Sequence, residues 1–415
     1  MSVRGAVPED VERDQVAVAE EPIVQVAPAR PPLTPGEWIR RNLFATWFNG
    51  VLTVITATGI LYFGFRILRF IFVSADWAVL RANLRVFMVG RFPLDQMWRV
   101  WLVVAFLAIL VGLSRGMLSP PRRTPRVLIA RAVLAALTVG ALAFLVEGLR
   151  IWLLLAATAA LFAAAVAAGR RWGSALRRPL LVAWLLAFPV VVLLLSVGQV
   201  KAEQWGGLLL NVMVAVVVIA LSFPLGILLA MGRRSSLPVV SWFCVGLIEL
   251  IRGVPLLTLL IFGRFVLILM LPPELTLAQL VRAIFMFTLF SAAYVAEIVR
   301  GGLQGVPEGQ YEAARALGLS TTRTMVLVAL PQALRNTIPS MIGHFISVFK
   351  DTSLLAVLGV FSDLLATARR APQAIEFIGH PAEALLPAAF LFWVIAFSMS
   401  RWSQRVERRL GVGER

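Results

Sequence analysis

The stretch FKDTSLL sets four polar side chains inside an otherwise apolar run, namely Lys350, Asp351, Thr352 and Ser353. Ionisable groups at membrane depth are costly and usually functional. The Lys350 ammonium could bind the carboxylate of a zwitterionic ligand, and the Asp351 carboxylate could accept hydrogen bonds from its ammonium group. The alternative is structural: these residues mark a helix break, in which Lys350 pairs with Asp351 or Asp351 caps the next turn.

A second group of candidates lies in and after the segment ELIRGVPLLTLL. Glu249 and Arg252 stand at positions i and i+3, so on a helix they share one face and can pair. Gly253 and Pro255 then break the helix inside an apolar span, and a broken helix can expose backbone groups to a cavity and a ligand. Arg264, deep in the same span, is a further cation for a ligand carboxylate. The alternative is an ion pair that only stabilises a kink.

Glu297 and Arg300 repeat the same spacing at the end of a later apolar run. They fit a charge pair that flanks a gate, and they equally fit an interfacial pair whose charged ends reach toward water. Other reactive residue types are few. We expect His344 to be packed rather than a proton relay, His380 to be solvated, and Cys244 to be a small core residue.

These residues leave few routes to covalent chemistry. One cysteine and two histidines exclude a disulfide framework and provide little material for a zinc centre. A phosphate-binding loop needs Gly-x-x-x-x-Gly-Lys-Ser/Thr, and neither Lys201 nor Lys350 stands in that pattern. The match GLSRG around Ser114 closes an apolar span instead of joining a strand to a helix, so an intramembrane serine enzyme is only an alternative. We predict no catalytic residue, metal or cofactor in this chain.

The composition is that of an integral membrane protein. Of the 415 residues, 60% are hydrophobic, the mean hydropathy is +0.86, and ordinary globular chains are about 45–50% apolar. The apolar runs are continuous rather than alternating, so they predict helices and an all-α protein. About ten runs are long enough to cross a bilayer. They cover residues 44–65, 97–118, 127–147, 151–169, 180–199, 207–231, 242–271, 277–300, 337–360 and 384–404.

The basic residues test this count, because positively charged loops stay in the cytosol. Clusters precede the first run, follow the last, and lie between runs two and three, four and five, six and seven, and eight and nine. An even number of spans with both termini inside puts all of these clusters on one side. The net charge of +17 is then a signal of topology rather than a basic face for nucleic acid. The exceptions, which would face outward, are Arg66, Arg69, Arg81, Arg85, Arg91, Arg369 and Arg370.

The chain divides into four parts. Residues 1–40 are acidic and proline-rich, lack the apolar core of a signal peptide, and are predicted to be a disordered cytosolic tail. Residues 41–206 hold simple spans with few polar residues and an outer loop. Residues 207–405 carry charges, glycines and prolines in their spans and are the predicted functional part. Residues 406–415 form a second cytosolic tail.

The loop over residues 301–336 is neither a span nor a simple linker. A run of good helix formers, EGQYEAARAL, predicts a short helix. Gly318 provides a left-handed stop, and Ser320 or Thr321 the cap of a second helix over about 321–329. Such a helix–turn–helix suits docking into a groove of a partner protein. The residues that carry this prediction are Tyr311, Glu312, Ala313, Ala314, Leu317, Gly318, Leu330 and Pro331.

The same loop resembles the EAA loop of ABC importer permeases. The family pattern is EAA, three residues, Gly, nine residues and Ile-x-Leu-Pro; EAARALG and VALP match it, with Val328 in place of the usual Ile. ELIRGVPLLTLL, AAYVAEIVRGGLQGVPEGQ and FKDTSLLAVLGV resemble the polar amino acid permeases in order and spacing, over residues 207–405. The outward loop with VGRFP and the long N-terminal insertion further resemble permease subunits of general L-amino acid transporters.

The resemblance implies a type I core of five spans, six to ten, in an inner-membrane subunit that translocates amino acids. The loop would dock into a cleft of a separate ATPase dimer, where ATP and Mg²⁺ bind. A periplasmic amino acid binding protein would deliver the substrate, and a second permease, a copy or a related sibling, would complete the pore. Membrane lipid would surround the spans, and no nucleic acid would bind. Which amino acids are carried, and what the N-terminal spans do, is left open.

Two alternatives stay open on the residues alone. An ion-coupled secondary transporter would need an embedded carboxylate relay, for which Glu249 and Asp351 are the candidates in mid-span. A scaffold that transports nothing would leave uptake intact when it is deleted.

Overall fold

The computed structural model describes residues 34–118, 149–196, 204–272, 277–359 and 361–410. The predicted span over 127–147 and most of the predicted tail over 1–40 lie outside these residues. Within them the protein is all-α, as predicted, apart from a two-residue strand, Ser362–Asp363, which bridges Gly206 and Gly207 in parallel.

The helices follow one another through short connections. The N-terminal helices are α1 (Pro35–Leu43), α2 (Trp47–Arg69), α3 (Ala78–Val89), α4 (Met97–Leu118), α5 (Leu149–Arg171) and α6 (Gly173–Ser196). The others are α7 (Gly207–Arg233), α8 (Pro238–Gly253), α9 (Leu256–Phe265), α10 (Leu267–Met270), α11 (Gln279–Gln304), α12 (Glu308–Ala316), α13 (Thr321–Thr324), α14 (Leu330–Asp351), α15 (Leu364–Arg370) and α16 (Pro381–Leu410).

Seven helical stretches among the described residues are long and apolar enough to cross a membrane. Two further candidates are bent: α6 by 54° between Trp184 and Leu186, and the α8–α9 pair by 102°. Pro189 explains the bend in α6, because it lacks the N–H that would bond the carbonyl four residues earlier. Counting both, the described residues hold nine candidate spans. They lie at nine of the ten predicted positions, and the other predicted span lies outside the described residues.

The first compact unit ends at Ser74 and is described from residue 34. Helix α1 begins inside the predicted tail, because Thr34 and Glu37 form a capping box in which each side chain accepts a hydrogen bond from the backbone N–H of the other. The predicted disordered tail over 1–40 is therefore too long at its C-terminal end. Helix α2 is strongly apolar, and none of its residues is buried.

The second unit, from Ala75 onward, is built around α7, α11 and α14. We call the end of these helices that carries residues 305–330 the loop end, and the opposite end the far end. One hydrophobic cluster, around Val299 and Leu303, lies toward the loop end. Another, around Leu210, lies toward the far end. Burial of these apolar faces holds the three helices together.

The N-terminal insertion is packed onto the far end of the second unit. Helix α3 buries Phe87 in a cluster with residues of α15 and α16. Just after it, Gly90 adopts a φ of 67°, and a Cβ on Gly90 would come within 2.3 Å of the Gly206 Cα. Glycine is required there for both reasons. Helix α3 is thus the amphipathic segment expected in the outer loop, with Arg81 and Arg85 on its exposed face.

The last helix is longer than predicted. Helix α16 continues to Leu410, past the predicted end of the functional part at residue 405. The sequence SQRVERRL consists mostly of good helix formers, which explains the extension. The first residues of the predicted tail over 406–415 are therefore helical.

Candidate functional site

The segment between α11 and α14 forms the predicted helix–turn–helix. Helix α12 is followed by Gly318 with a φ of +75°, a left-handed conformation that suits glycine. Ser320, rather than Thr321, caps α13, because its hydroxyl accepts a hydrogen bond from the Arg323 N–H at 3.4 Å. The helix, the stop and the second helix start lie where the sequence predicts them.

The second half of this loop differs from the prediction. The helix does not stop at Pro331, because α13, a π segment over Met325–Ala329, α14 and the turn after it form one helical stretch, Thr321–Leu358. Pro331 lies in the first turn of α14, where a missing N–H costs little next to the wider π turn. The predicted docking segment therefore joins a span without a flexible linker.

The residues expected to dock do not share one exposed face. Tyr311 and Ala314 pack inward, and the Tyr311 hydroxyl donates to a carbonyl of α11 at 3.4 Å. Leu317, in contrast, is 82% exposed, and Val326 and Leu327 are exposed as well. These three residues form what we call the loop apolar surface. A contiguous exposed apolar patch is a common mark of a protein interface.

The rest of the loop frames this surface. Its other exposed predicted residues are Glu312, Ala313, Gly318 and Pro331, whereas Leu330 is half-buried. Arg315 pairs with Glu308 at 3.1 Å along α12. The Gln332 amide donates to the Gln310 side chain at 3.0 Å, which braces α12 against α14.

Five charged side chains meet at the loop end, and we call them the ionic cluster: Arg233, Glu249, Arg252, Glu297 and Arg300. The Glu297 carboxylate lies 3.4 Å from Arg233 Nη1 and 3.6 Å from Arg252 Nη1. It also accepts a hydrogen bond from Arg300 Nε at 2.8 Å. Glu249 lies 3.3 Å from Arg233. Three guanidinium groups face two carboxylates, so the cluster carries one net positive charge.

The ionic cluster confirms one predicted pair and corrects the other. Glu297 and Arg300 pair along α11, as their spacing predicts. Glu249 and Arg252 do not pair with each other, because α8 lies against α7 and α11 and each side chain finds a partner on a neighbouring helix. Arg233, which the sequence marks only as a loop charge, is the missed member. Its position at the end of a span was the available signal.

A cleft of about 310 Å³ opens beside Glu297, between the loop ends of α11 and α14. Gly301 and Gly305 lie along one side of this cleft, and Asn336 and Ser340 lie along the other. The cleft is therefore lined by small and neutral polar groups. The single ionisable residue on its lining is already held by arginines.

The span over α8 and α9 breaks where the sequence predicts. Gly253 ends α8, Pro255 precedes α9, and the two helix axes differ by 102°. Both residues are exposed at the break. Arg252 of the ionic cluster directly precedes them, so irregular backbone lies beside the charged groups.

The remaining predicted path residues lie at the far end. From Glu297 to Arg282 the rise along α11 is about 22 Å. Arg264 is half-buried, with its guanidinium 4.6 Å from the Phe265 ring centroid. Arg282, which sequence reasoning missed, is buried and donates to the Gly263 and Arg264 carbonyls at 3.4 and 2.8 Å. It caps the last turn of α9, and its signal was a basic residue in the run VRAIFMFTLF.

The polar group at 350–353 is a helix break, as one of its two interpretations predicts. Helix α14 ends at Asp351, and a 3-10 segment follows. Thr352 is fully buried, donates to a backbone carbonyl one turn earlier at 2.6 Å, and accepts from the Asn211 amide at 3.1 Å. Lys350 is exposed, and Ser353 is half-buried. Within the described residues, Lys350 and Asp351 join no ion pair, and Asp351 makes no side-chain cap.

Asn211 also ties this break to the next segment. Its side-chain oxygen accepts from the Leu364 N–H at 2.9 Å. Asp363 caps α15 by accepting from the Leu365 N–H at 3.1 Å, and its other carboxylate oxygen is buried without a partner in the described structure. Burial raises the pKa of Asp363 from 3.8 to about 6, although hydrogen bonds to its carboxylate oppose the shift.

His344 is packed, as predicted, and it is also hydrogen-bonded. Its Nε2 lies 2.9 Å from the Ser291 hydroxyl, which lies 2.9 Å from the Ser222 hydroxyl. Its ring stacks on Tyr294, with centroids 5.7 Å apart and planes inclined by 13°. The Arg252 guanidinium lies 5.6 Å from the Tyr294 ring centroid. Helices α7, α11 and α14 therefore meet at His344.

The other reactive residues have ordinary partners. Cys244 is buried in the core. His380 is partly exposed, and its hydrogen bond to Glu383 raises its pKa. The Ser114 hydroxyl donates to a carbonyl of its own helix at 2.8 Å and accepts from the Trp184 indole at 2.9 Å, so it serves helix packing. Among the described residues there is no group of three potential metal ligands.

Known proteins match the chain along nearly its whole length. The inner membrane amino-acid ABC transporter permease protein YhdY of Escherichia coli is 35% identical over 401 residues, which cover 91% of this chain and 93% of YhdY. The chain belongs to the amino-acid ABC transporter permeases. The profile of the family described as "Binding-protein-dependent transport system inner membrane component" matches residues 222–412 of this permease. Since the match to YhdY spans both halves, the N-terminal helices are shared as well.

Two further comparisons agree in kind. The glutamate/glutamine/aspartate/asparagine transport system permease protein BztC of Rhodobacter capsulatus is 37% identical over 361 residues, covering 81% of this permease and 79% of BztC. A solved structure described as "Crystal structure of an amino acid ABC transporter with histidines" covers 48% of this permease and 90% of its own chain, with 28% identity and a TM-score of 0.43. The sequence relatives confirm the family inferred from the loop.

Proposed function

We propose that this permease is one subunit of an ATP-driven importer that moves amino acids across the bacterial inner membrane. A separate ATPase docks on the 305–330 loop, and a periplasmic binding protein delivers the substrate. The observation that carries this proposal is the loop apolar surface, Leu317, Val326 and Leu327, which is exposed on a segment that runs without a linker into a span. Such a surface suits a groove on a partner.

The partners follow from this assignment. ATP and Mg²⁺ bind to the ATPase dimer, and this permease needs no cofactor of its own. A second permease, a copy or a related sibling, completes the pore, and lipid surrounds the spans. The unburied apolar helix α2 supports contact with lipid or with another subunit. The loop end and both termini face the cytosol, and the far end faces the periplasm.

The ionic cluster is the proposed cytosolic gate of the transport path. Glu297 contacts arginines on α7, α8 and α11, and these contacts can be broken and re-formed as the helices move. The break at Gly253–Pro255 places irregular backbone beside it, which supports a path along the α8–α9 span. At the other end, Arg264 and Lys350 are the proposed first contacts for a substrate carboxylate. Asp351 and Ser353 accompany them, whereas the buried Thr352 holds the helix break.

Amino acids are the proposed substrate class. The relative in Rhodobacter capsulatus is named for glutamate, glutamine, aspartate and asparagine transport, and the relative in Escherichia coli for amino acids in general. Glutamate and glutamine are therefore the first compounds to test.

Uptake of radiolabelled amino acids tests the function. In cells that lack the chain, we expect uptake to return when the chain is restored and to fall when ATP is depleted. We also expect uptake to persist when the proton and sodium gradients are collapsed while ATP is maintained. Uptake that follows an ion gradient instead would favour the secondary transporter, with Glu249 or Asp351 as its carboxylate. Unchanged uptake after deletion would favour the scaffold.

A further inference from the structure

His344 stands at the end of a directed chain of hydrogen bonds through three helices. The Ser222 hydroxyl donates to the Ile219 carbonyl at 3.4 Å, and the Ser291 hydroxyl donates to Ser222 at 2.9 Å. Because Ser291 has one hydroxyl hydrogen, and Ser222 uses it, Ser291 can only accept from His344 Nε2 at 2.9 Å. The network therefore assigns the Nε2–H tautomer to His344.

This bond fixes the plane of the imidazole ring. The ring then stacks on Tyr294 at an angle of 13°, and Tyr294 also contacts the Phe290 ring at 4.8 Å. The Arg252 guanidinium lies 5.6 Å from the Tyr294 ring centroid, within the range of a cation–π contact. Arg252 is at the same time 3.6 Å from Glu297. His344 is thus connected to the ionic cluster through one aromatic ring.

The position of His344 along α14 gives this connection its meaning. Helix α14 is the direct continuation of the 305–330 loop, and His344 lies about 21 Å along it from Leu330. Between them, Ala333 and Thr337 pack against Gly302 of α11. His344 is therefore where the helix that leaves the loop meets a group that touches the ionic cluster.

We propose that His344 is a positioning residue that couples the loop to the gate. Its Nε2–H bond to Ser291 holds the ring under Tyr294, and Tyr294 holds Arg252 against Glu297. When the loop displaces α14, the stack shifts, and Arg252 loses support in the ionic cluster. The proposal rests on the proposed function, since it needs an ATPase that moves the loop.

Two substitutions separate this role from simple packing. His344→Phe keeps an aromatic ring at the stack and removes the N–H donor, and Ser291→Ala removes the acceptor and leaves His344 intact. We expect each to lower the amount of amino acid imported per ATP hydrolysed by about fivefold, the effect of about one net hydrogen bond. ATP hydrolysis itself should change by less than about twofold. The double variant should be no worse than either single variant, because both remove the same bond.

The assay uses the whole complex in proteoliposomes, with a radiolabelled amino acid mixture outside and ATP inside with the ATPase. Ser222→Ala is the matched control, since it removes the end of the chain but leaves the His344–Ser291 bond, and its import per ATP should stay near that of the wild type. Unchanged import per ATP in His344→Phe and Ser291→Ala, or losses that multiply in the double variant, would overturn the proposal. A wild-type complex that imports nothing with ATP would instead refute the proposed function.

A second measurement tests the contacts without any transport. The protein has two histidines, so isotope-labelled histidine gives two imidazole signals in a magnetic resonance spectrum, and His380→Gln identifies them. We expect the Nε2–H form for His344, a shifted signal in Ser291→Ala, and a shifted signal in Glu297→Gln. A His344 signal that is indifferent to Glu297→Gln would show that the ring does not sense the ionic cluster and would overturn the proposal.

Discussion

The two ends of the permease core hold their buried and half-buried charges in different ways. At the loop end, Glu297 is held by side chains of arginines on α7, α8 and α11. At the far end, Arg282 and Asp363 are bound to backbone groups at helix ends. A pair of side chains on different helices can separate when the helices move, whereas a bond to a helix end is part of that helix's own fold. The comparison leads us to expect movement at the loop end and a fixed shape at the far end.

Removing the Arg282 side chain should have the largest effect on stability. In Arg282→Met, two carbonyls at the end of α9 lose their donor at membrane depth, where no water replaces it. We expect a loss of about 3–5 kcal/mol, seen as a lower temperature of unfolding in detergent. Arg264→Met is the control, because the half-buried Arg264 side chain stacks only on Phe265. Equal losses in the two variants would show that Arg282 is not the fixed anchor of the far end.

Asp363→Asn should stabilise the far end at neutral and alkaline pH. The pKa of Asp363 is raised from 3.8 to about 6 in the folded protein, so the ionised carboxylate costs stability above pH 6. Asparagine keeps an oxygen for the Leu365 N–H and removes the charge. We expect a gain of at most about 3 kcal/mol at pH 8, measured as a higher unfolding temperature.

The sign of the pH dependence gives this prediction a second check. As the pH falls from about 6 to 4, the folded protein takes up a proton on Asp363 before the unfolded chain does, so the wild type gains stability and the advantage of Asp363→Asn shrinks. An advantage that stays constant between pH 8 and 4 would mean that the Asp363 charge is not the cause.

Glu297→Gln should have a smaller effect on stability and a visible effect on gating. The Glu297 side chain is partly exposed, so its pairs contribute only about 1 kcal/mol. Without it, three arginines face Glu249 alone, and the gate should open about fivefold more often, measured as ATP hydrolysis in the absence of substrate. Glu249→Gln, which loses one pair with Arg233, should change this rate less. An opposite order of the two variants would contradict the central place of Glu297.

Much of the fold was predictable, because span length and continuity of apolar residues are local properties of the sequence. The α12 helix, the Gly318 stop and the Ser320 cap were predictable for the same reason. The Glu249–Arg252 pair was wrong because spacing along one helix says nothing of a neighbouring helix that offers Arg233 or Glu297. Bonds between distant positions, such as Asn211 to Leu364, leave no local pattern at all.

The loop shows where local reasoning ends. Pro331 looked like a stop, but the tertiary structure keeps α14 helical through it by means of the π turn. Helical spacing placed Tyr311, Ala314 and Leu317 on one face, yet the packing of α12 on α11 buries the first two and exposes the third. Burial against a neighbouring element decides such questions, and a single sequence does not state it.

The central claim is that the loop end docks a separate ATPase, and composition of the gently purified complex tests it most directly. Mass spectrometry should find a P-loop ATPase and a second permease with the wild type and with Glu376→Lys, an exposed far-end control. Gly318→Pro, which cannot adopt a φ of +75°, and Glu312→Lys should insert normally but lose the ATPase. A wild type that purifies alone under conditions that preserve such complexes, or loop variants that keep both the ATPase and uptake, would contradict the account.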